Sequence, residues 1–319
     1  MNIDLLTIGD CAIDLHMKVA EGEAAEDKDT EHPKICFYHG SKIPVEHFET
    51  SIAGNSVNVA LGCRNLGLKT AVYTELGDDE NADRVILELK NLGIDNTLCK
   101  KNKGGQTNVH TVIVYGGERT IFSYHEKCNY KIQKWGNPSI IYYTSMGEGF
   151  ETFQHELVMY LKQNREIVVG FNPGSIQMKA GVDSLKDILE FTHILFVNKE
   201  EAIKLSGKNT YSIREMHSTL QKLGPKLTVI TDGQNGASAF DGKDFIQHGV
   251  YSDKRPVIDK TGAGDAFASG FLSAIFYKKP LKEALLWGIV NSGCAIKVIG
   301  ATKGVQTKEG MEKIVKNLL

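Results

Sequence analysis

The chain has 319 residues, a formal net charge of −2, an apolar fraction of 41% and a charged fraction of 24%. This length suits one large domain with an accessory element, or two smaller domains. The near-neutral charge argues against a nucleic-acid-binding protein, which usually carries a basic surplus. No run of 18 apolar residues and no secretory signal is present, so we expect a cytoplasmic protein that does not span a membrane.

The six cysteines are scattered and form no Cys-x-x-Cys pair, which argues against a structural zinc site. We therefore expect reduced thiols in a cytoplasmic protein. The histidines His110, His125 and His155 are far apart in the sequence, so they are expected to be core or surface residues rather than metal ligands.

The first elements are a buried strand, a polar loop and a helix. Residues 3–8 are apolar and β-prone and stop at a Gly-Asp pair, which is typical of a buried strand followed by a functional turn. Residues 21–32 are too polar to bury and are predicted to be a solvated loop. Apolar residues at helical spacing between 56 and 66, followed by Gly67, predict a helix that ends there.

Residues 108–115 and 120–124 are β-rich and flank a glycine-containing turn, which predicts a hairpin. From residue 139 strands and helices alternate, which favours a mostly parallel sheet covered by helices on both faces. The predicted strands are 140–143, 167–171, 194–197, 227–231 and 237–240, and the predicted helices are 151–164, 183–190, 199–206, 212–223, 265–277 and 281–296. The early β segments, near 14–52 and 105–128, are expected to form a small β-sheet lid.

The segment Asp259-Lys260-Thr261-Gly262-Ala263-Gly264-Asp265 precedes an amphipathic helix. Glycines at the start of a helix expose backbone N–H groups to a ligand, and the helix dipole favours an anion such as phosphate there. Asp265 could simply cap the helix, and its position alone leaves that interpretation and a catalytic one balanced. The paired glycines favour an anion hole, because a cap does not need so bare a backbone.

The same segment lacks the Gly-Lys-Ser/Thr of a Walker loop, and Phe267 breaks the dinucleotide fingerprint. A glycine-built anion hole with an aspartate suits phosphoryl transfer to a hydroxyl, in which the aspartate takes the hydroxyl proton. We expect the helix N-terminus to keep Asp265 ionised at neutral pH.

Residues 259–271 resemble the C-terminal signature of the ribokinase-like (PfkB) carbohydrate kinase family. Residues 53–60, Ala-Gly-Asn-Ser-Val-Asn-Val-Ala, are similar to the family's Gly-Gly-x-x-x-Asn segment. Further stretches match in the family's order across almost the whole chain: 9–14, 172–174, 198–201 and 231–233. The resemblance implies a single ribokinase-like domain over 1–319, a three-layer α/β fold with a mostly parallel central sheet and a small β-sheet lid.

The resemblance also implies roles for individual residues. Asp265 would be the base, beside an anion hole of Gly262, Ala263 and Gly264. The acceptor pocket would contain Asp14, Gly54, Asn55 and Asn58. The nucleotide would lie near Asn198, Thr231, Gly233 and Asn291. Glu201 would act on Mg²⁺ through water, and Asp259 would help to hold a monovalent cation such as K⁺.

Several of these residues have an ordinary structural interpretation as well. Asp14 could be a turn residue, and Asn198 with Glu201 could form a helix capping box. Thr231-Asp232-Gly233 could be a plain exit from a strand. For Arg119, on the predicted hairpin, a solvated position is favoured over substrate contact.

The expected function is transfer of the γ-phosphate of Mg-ATP to a primary hydroxyl of a sugar, as in ribokinases or fructokinases. The alternatives are a nucleoside kinase of the same fold, with aromatic residues such as Phe122 and Tyr124 stacking on the base, and a non-catalytic sugar or nucleotide sensor. Ala53, Asn55 and Lys260 depart from the family pattern, so the sugar is not specified. An exposed sheet edge in the lid makes a homodimer through the lid reasonable.

Overall fold

The computed structural model of the protein describes residues 3–27, 34–116, 118–207 and 212–319. Its strands are β1 (Leu5–Ile8), β2 (Ala12–Val19), β3 (Ala25–Asp27), β4 (Lys34–Cys36), β5 (Val45–Ala53), β6 (Thr70–Leu76), β7 (Cys99–Lys101), β8 (Asn108–Tyr115), β9 (Glu118–Tyr124), β10 (Ile140–Tyr143), β11 (Val168–Phe171), β12 (Ile194–Asn198), β13 (Leu227–Thr231), β14 (Ala237–Phe240) and β15 (Phe245–His248). Its α-helices are α1 (Asn55–Asn65), α2 (Glu80–Asn91), α3 (Phe150–Gln163), α4 (Ser175–Ala180), α5 (Lys186–Phe191), α6 (Lys199–Ser206), α7 (Ile213–Gln221), α8 (Ala263–Phe276), α9 (Leu281–Ala295) and α10 (Lys308–Lys316).

The large sheet has nine strands in the order β15-β14-β13-β12-β11-β10-β1-β6-β7. The strands from β13 to β7 run parallel, and β14 and β15 form an antiparallel edge. This arrangement confirms the predicted mostly parallel sheet. It also brings the carboxyl ends of β1, β10, β11, β12 and β13 to one edge, where open α/β sheets bind ligands.

The large sheet is buried on both faces because successive strand side chains alternate between two cores. Leu6 and Ile141 pack on one face with helices α3, α5, α6 and α7. Leu5 and Ile140 pack on the other face with α1, α8, α9 and α10. These two layers of helices complete the three-layer fold that was predicted.

A separate four-stranded sheet, the small sheet, has the order β5-β2-β8-β9. Strand β2 pairs antiparallel with β5 and parallel with β8, and β8 and β9 form the predicted hairpin. Register places Asp14 opposite Ser51 and His110, and His110 opposite Ser123, so these polar residues share one face. Within the described parts of the chain, no helix is long and apolar enough to cross a membrane.

Two predicted elements need correction. Residues 25–27, predicted as loop, form β3 and pair with β4, although their side chains are exposed as a polar segment requires. The rest of that predicted loop from residue 28 lies outside the described residues. The helix predicted over 183–190 is a 3₁₀ turn (Val182–Leu185) followed by α5.

Candidate active site

Asp265 lies in the first turn of α8, directly after the glycine turn that begins the helix. Gly262 precedes the helix with a φ of 69°, a left-handed conformation that suits glycine. The Asp265 side chain makes no capping hydrogen bond to the helix backbone, and the residue is only 5% exposed. The capping interpretation therefore does not explain this aspartate.

The Asp265 carboxylate is held by two asparagines from α1. Asn55 Nδ2 donates to Asp265 Oδ1 at 2.9 Å, and Asn58 Nδ2 donates to Oδ2 at 2.8 Å. Asn55 and Asn58 are three residues apart and so lie on one face of the helix. The sequence placed both in the acceptor pocket, but the structure turns their amides towards the aspartate. In the sequence, two asparagines at i, i+3 spacing, both poor helix formers, were the available signal that these side chains act together.

Burial raises the pKa of Asp265 to about 6, while the hydrogen bonds from Asn58 and Asn55 lower it. The sequence analysis expected the helix N-terminus to keep Asp265 ionised at neutral pH; desolvation by burial acts in the opposite direction and is the largest effect on this pKa. A carboxyl group with this pKa is still mostly ionised at pH 7. Asp265 can therefore accept a proton at neutral pH, with a pKa closer to the working pH than that of a free aspartate.

Gly54, the residue before α1, is held close to strand β1. Its φ is 126°, and a Cβ at this position would lie 2.4 Å from the backbone oxygen of Asp10. Only a glycine allows this approach. Gly54 therefore fixes the start of α1 against the carboxyl end of β1, and so sets the position of Asn55.

Asp265 opens onto a cleft of about 230 Å³ at the carboxyl ends of the parallel strands. Most of the predicted catalytic and nucleotide-binding residues line this cleft, and Lys260, which was not assigned a role, lines it as well. The lining of the cleft includes the polar side chains of Asn55, Asn172, Asn198, Glu201, Thr231, Lys260 and Asp265 together with Gly262, Ala263 and Gly264 of the turn. A second cleft of about 540 Å³ shares Asn55, Asn172 and Glu201 with it and is also lined by Lys179 and Lys204.

Asn198 and Glu201 form the capping box that the sequence left open as an alternative. Glu201 N donates to Asn198 Oδ1 at 2.8 Å, and Asn198 N donates to Glu201 Oε2 at 2.9 Å. Both residues also line the cleft, so capping and ligand contact are compatible. Burial raises the pKa of Glu201, against the lowering effect of the hydrogen bond from Asn198.

The remaining predicted nucleotide residues divide into three cases. Thr231 lines the cleft, whereas Gly233 begins the 3₁₀ turn that follows β13. Asn291 is fully buried; its Nδ2 donates to Ala266 O at 2.9 Å, and its Oδ1 accepts from Gln306 N at 2.7 Å. The predicted approach of Asn291 to an adenine therefore does not fit, because this side chain joins α8 to α9 inside the core.

Asp14 lies in strand β2 of the small sheet, and Asp10 lies in the turn between β1 and β2. Asp14 Oδ1 is 3.0 Å from His110 Nδ1, and Asp14 Oδ2 is 3.6 Å from His16 Nε2. Burial raises the pKa of Asp14, but the two histidines lower it further, so it ends below its ordinary value. Asp14 is thus held in place by two imidazoles.

Asp10 is a buried carboxyl group that the sequence analysis did not assign. Its Oδ1 accepts from Tyr130 Oη at 2.8 Å, and the Tyr130 hydroxyl in turn accepts from Gly147 N at 3.1 Å. Asp10 Oδ2 and His110 Nε2 have no hydrogen-bond partner among the described residues. Burial raises the pKa of Asp10 to about 7. Unpaired buried polar atoms at this edge of the sheet suit a polar ligand.

Asp259 lies between the small sheet and the glycine turn. Its carboxylate accepts from Thr261 N and Oγ1 and from Gly300 N, and Arg119 Nη1 lies 3.0 Å from its Oδ1. Arg119 lies on an exposed strand, as predicted, but its guanidinium also forms an ion pair with Asp259, which the sequence analysis did not predict. The predicted monovalent-cation site does not fit, because this guanidinium already lies against the carboxylate.

Comparisons of the sequence and of the fold with known proteins identify the family of this chain. Residues 3–308 match the family model described as pfkB family carbohydrate kinase. The chain belongs to the PfkB family of carbohydrate kinases. It is therefore a phosphotransferase that acts on an alcohol group, as the sequence predicted.

The chain is similar to an ATP-dependent 6-phosphofructokinase of Thermoanaerobacterium thermosaccharolyticum, with 22% identity over 93% of this chain and 89% of that protein. It is also similar to adenosine kinase 2 of Arabidopsis thaliana, with 24% identity over 90% and 88%. Its fold matches Arabidopsis thaliana ribokinase complexed with ribose and ATP, with a TM-score of 0.81, 19% identity and 99% of both chains covered. These matches confirm the ribokinase-like fold.

Proposed function

We propose that this kinase transfers the γ-phosphate of Mg-ATP to a primary hydroxyl of a sugar. The observation that carries the proposal is the buried Asp265 carboxylate, fixed by two asparagines in the same cleft as the Gly262–Gly264 turn. A base and an anion hole in one cleft are the two parts that phosphoryl transfer to a hydroxyl needs.

In the proposed reaction, the acceptor hydroxyl oxygen attacks the γ-phosphorus in line with the leaving oxygen of ADP. The O–H bond breaks and its proton passes to Asp265, the new O–P bond forms, and the bond to ADP breaks. The backbone N–H groups of Gly262, Ala263 and Gly264 would hold the charge of the transferred group. Lys260, which lines the same cleft, would add positive charge near the phosphates.

The described residues offer Mg²⁺ few direct ligands. Among the described residues no group of three or more His, Cys, Asp or Glu side chains could hold a metal ion. Mg²⁺ in kinases is commonly bound by one or two carboxylates, phosphate oxygens and water, and Glu201 with Asn198 fits that pattern. When bound there, Mg²⁺ would neutralise charge on the phosphates.

Nucleotide and acceptor would approach Asp265 from different sides. Thr231 and Asn198 would lie beside the nucleotide, with Gly233 in the following turn. Asp14 and the unpaired oxygen of Asp10 would bind acceptor hydroxyls. The small sheet would act as a lid over this side and exclude water, which otherwise competes as an acceptor.

A nucleoside kinase is the second candidate, since adenosine kinase 2 is among the relatives. The small sheet does not add support to it. Register sets Tyr124 opposite Val109 and Phe122 opposite Thr111, so both aromatic residues alternate with Ser123 and lie on the face opposite Asp14. They are 46% and 61% exposed. Stacking of a base by these rings over Asp14 is therefore disfavoured.

The test is ADP formation from Mg-ATP in the presence of separate pentoses, hexoses and nucleosides. We expect turnover that depends on a sugar. Turnover with nucleosides alone would select the second candidate. ATP and sugar binding without ADP formation from any acceptor would instead indicate a sensor. The cytoplasmic location and a homodimer through the small sheet stay predictions.

A further inference from the structure

Asp259 is the point at which three separate parts of the chain meet. Its Oδ1 accepts from Thr261 N at 2.9 Å and Thr261 Oγ1 at 2.6 Å, and its Oδ2 accepts from Gly300 N at 3.0 Å. Its Oδ1 also faces Arg119 Nη1 at 3.0 Å. The carboxylate therefore ties the segment before α8 to the loop after α9 and to strand β9 of the small sheet.

The loop that Asp259 holds through Gly300 packs against the glycine turn of the proposed anion hole. Ala301 follows Gly300, and a Cβ on Gly262 would lie 2.5 Å from Ala301 Cβ. The loop held by Asp259 is thus packed against the first glycine of the turn. If the Asp259 carboxylate moved, Gly300 and Ala301 would lose their anchor, and the N–H groups of the turn would lose their fixed direction.

Arg119 is the cation that faces this carboxylate. Its side chain is 31% exposed and that of Asp259 is 17% exposed, so the pair is partly shielded from water. Burial raises the pKa of Asp259, but the hydrogen bonds from Thr261 and Gly300 and the charge of Arg119 lower it below its ordinary value. The carboxylate is therefore charged at neutral pH and keeps its attraction for the guanidinium.

We infer that Arg119 is a positioning residue: it supplies from the small sheet the positive charge that fixes Asp259, and through it the anion hole. This inference rests on the proposed function, because it assigns the glycine turn to the transferred phosphate. The Arg119–Asp259 ion pair requires the small sheet to lie over the site. Closure of the small sheet is therefore coupled to ordering of the anion hole. A built-in guanidinium also removes the need for a free monovalent cation at Asp259.

The small sheet offers a matched control. Lys303 Nζ lies 3.6 Å from Glu49 Oε1 on strand β5, so this pair also joins the small sheet to the loop after α9. Neither Lys303 nor Glu49 contacts the Asp259 carboxylate among the contacts of the described residues. Removing the Lys303 charge weakens a link between the same two parts of the protein and leaves Asp259 intact.

The experiment compares wild type, Arg119→Gln, Arg119→Lys and Lys303→Gln with the acceptor that supports turnover, in potassium and in choline buffers of equal ionic strength. We expect kcat of Arg119→Gln to fall by roughly ten- to a hundredfold, because the phosphate-binding groups lose their alignment. The KM for the sugar should change much less. Arg119→Lys, added guanidinium or K⁺ should restore part of kcat, whereas wild type and Lys303→Gln should be equally active in both buffers.

Amide hydrogen exchange supplies a readout that does not depend on catalysis. Exchange over residues 259–264 and 296–304 should be faster in Arg119→Gln and unchanged in Lys303→Gln. Equal exchange and equal kcat in Arg119→Gln and wild type would overturn the inference, as would an absolute potassium requirement of the wild type. If no acceptor supports turnover, the proposed function fails, and the exchange measurement alone still decides whether Arg119 orders the turn.

Discussion

At the scale of single residues, the site depends on what surrounds each buried carboxylate. Both oxygens of Asp265 accept hydrogen bonds from side-chain amides, whereas Asp10 has one oxygen held by Tyr130 and one without a partner among the described residues. An amide donor stabilises the ionised form of a carboxyl group. Asp265 is therefore suited to accept a proton, and Asp10 to bind a polar group.

Asn58→Ala should shift the pH dependence of the reaction. The hydrogen bond from Asn58 lowers the pKa of Asp265, so its loss should raise that pKa from about 6. A hydrogen bond to a charged group contributes about 1.5–3 kcal/mol, which corresponds to a shift of at least about one unit. The acid limb of the kcat/KM profile should therefore move upward, so that activity falls at pH 6.5 and largely recovers near pH 8.5.

The control for this change is Asn65→Ala at the other end of α1, far along the helix from Asp265. The kcat/KM–pH profile of Asn65→Ala should overlay that of wild type, because Asn65 is not among the hydrogen-bond donors to Asp265. Titration of ATP itself affects every variant equally and so does not alter this comparison. Overlaid profiles for Asn58→Ala and wild type would show that Asn58 does not tune the base.

At the scale of elements, the crossing of α1 and α8 brings Asp265 together with Asn55 and Asn58. Gly62 and Ser269 lie at this crossing, where a Cβ on Gly62 would lie 2.3 Å from Ser269 Oγ. Such a distance requires a shift of the neighbouring atoms. The close approach of the two helices is what brings the amides of Asn55 and Asn58 to Asp265.

Gly62→Ala should separate the two helices. Overpacking costs about 1–3 kcal/mol, which exceeds the gain of about 1 kcal/mol from replacing a helical glycine with alanine. We expect a lower free energy of unfolding together with a reduced kcat, measured by denaturant unfolding and steady-state kinetics. Gly249→Ala, where the added Cβ meets nothing within 4 Å, should leave both values unchanged. Full activity of Gly62→Ala would contradict the role of this crossing.

The elements also show where sequence reasoning succeeds. Strands β10 to β14 were predicted to within a residue or so, because buried strands are short apolar runs between helices, whereas β15 was not predicted. Strand β3 was missed because its residues are polar and exposed, and pairing with β4 decides its conformation. The hydrogen bonds from Asn55 and Asn58 to Asp265 join residues more than 200 positions apart. The i, i+3 spacing of the asparagines indicates a shared helix face, but no local pattern identifies Asp265 as their partner.

At the scale of the whole molecule, the large sheet supplies the cleft, and in our proposal the small sheet covers it. The carboxyl ends of the parallel strands present Asn172, Asn198 and Thr231 to one cleft. The small sheet carries Asp14 and His110 on one face and Arg119 on its edge strand β9. The Arg119–Asp259 pair was not predictable, because a charged residue on a hairpin is usually solvated.

The central claim is that Asp265 removes the proton from the acceptor hydroxyl. Its most direct test is the single-turnover rate of phosphoryl transfer by Asp265→Asn, measured together with Mg-ATP binding to the same variant. The account predicts a rate lowered by at least about 10²-fold, the usual contribution of a general base, with ATP affinity close to that of wild type. A near-normal transfer rate in a variant that binds Mg-ATP normally would contradict the claim.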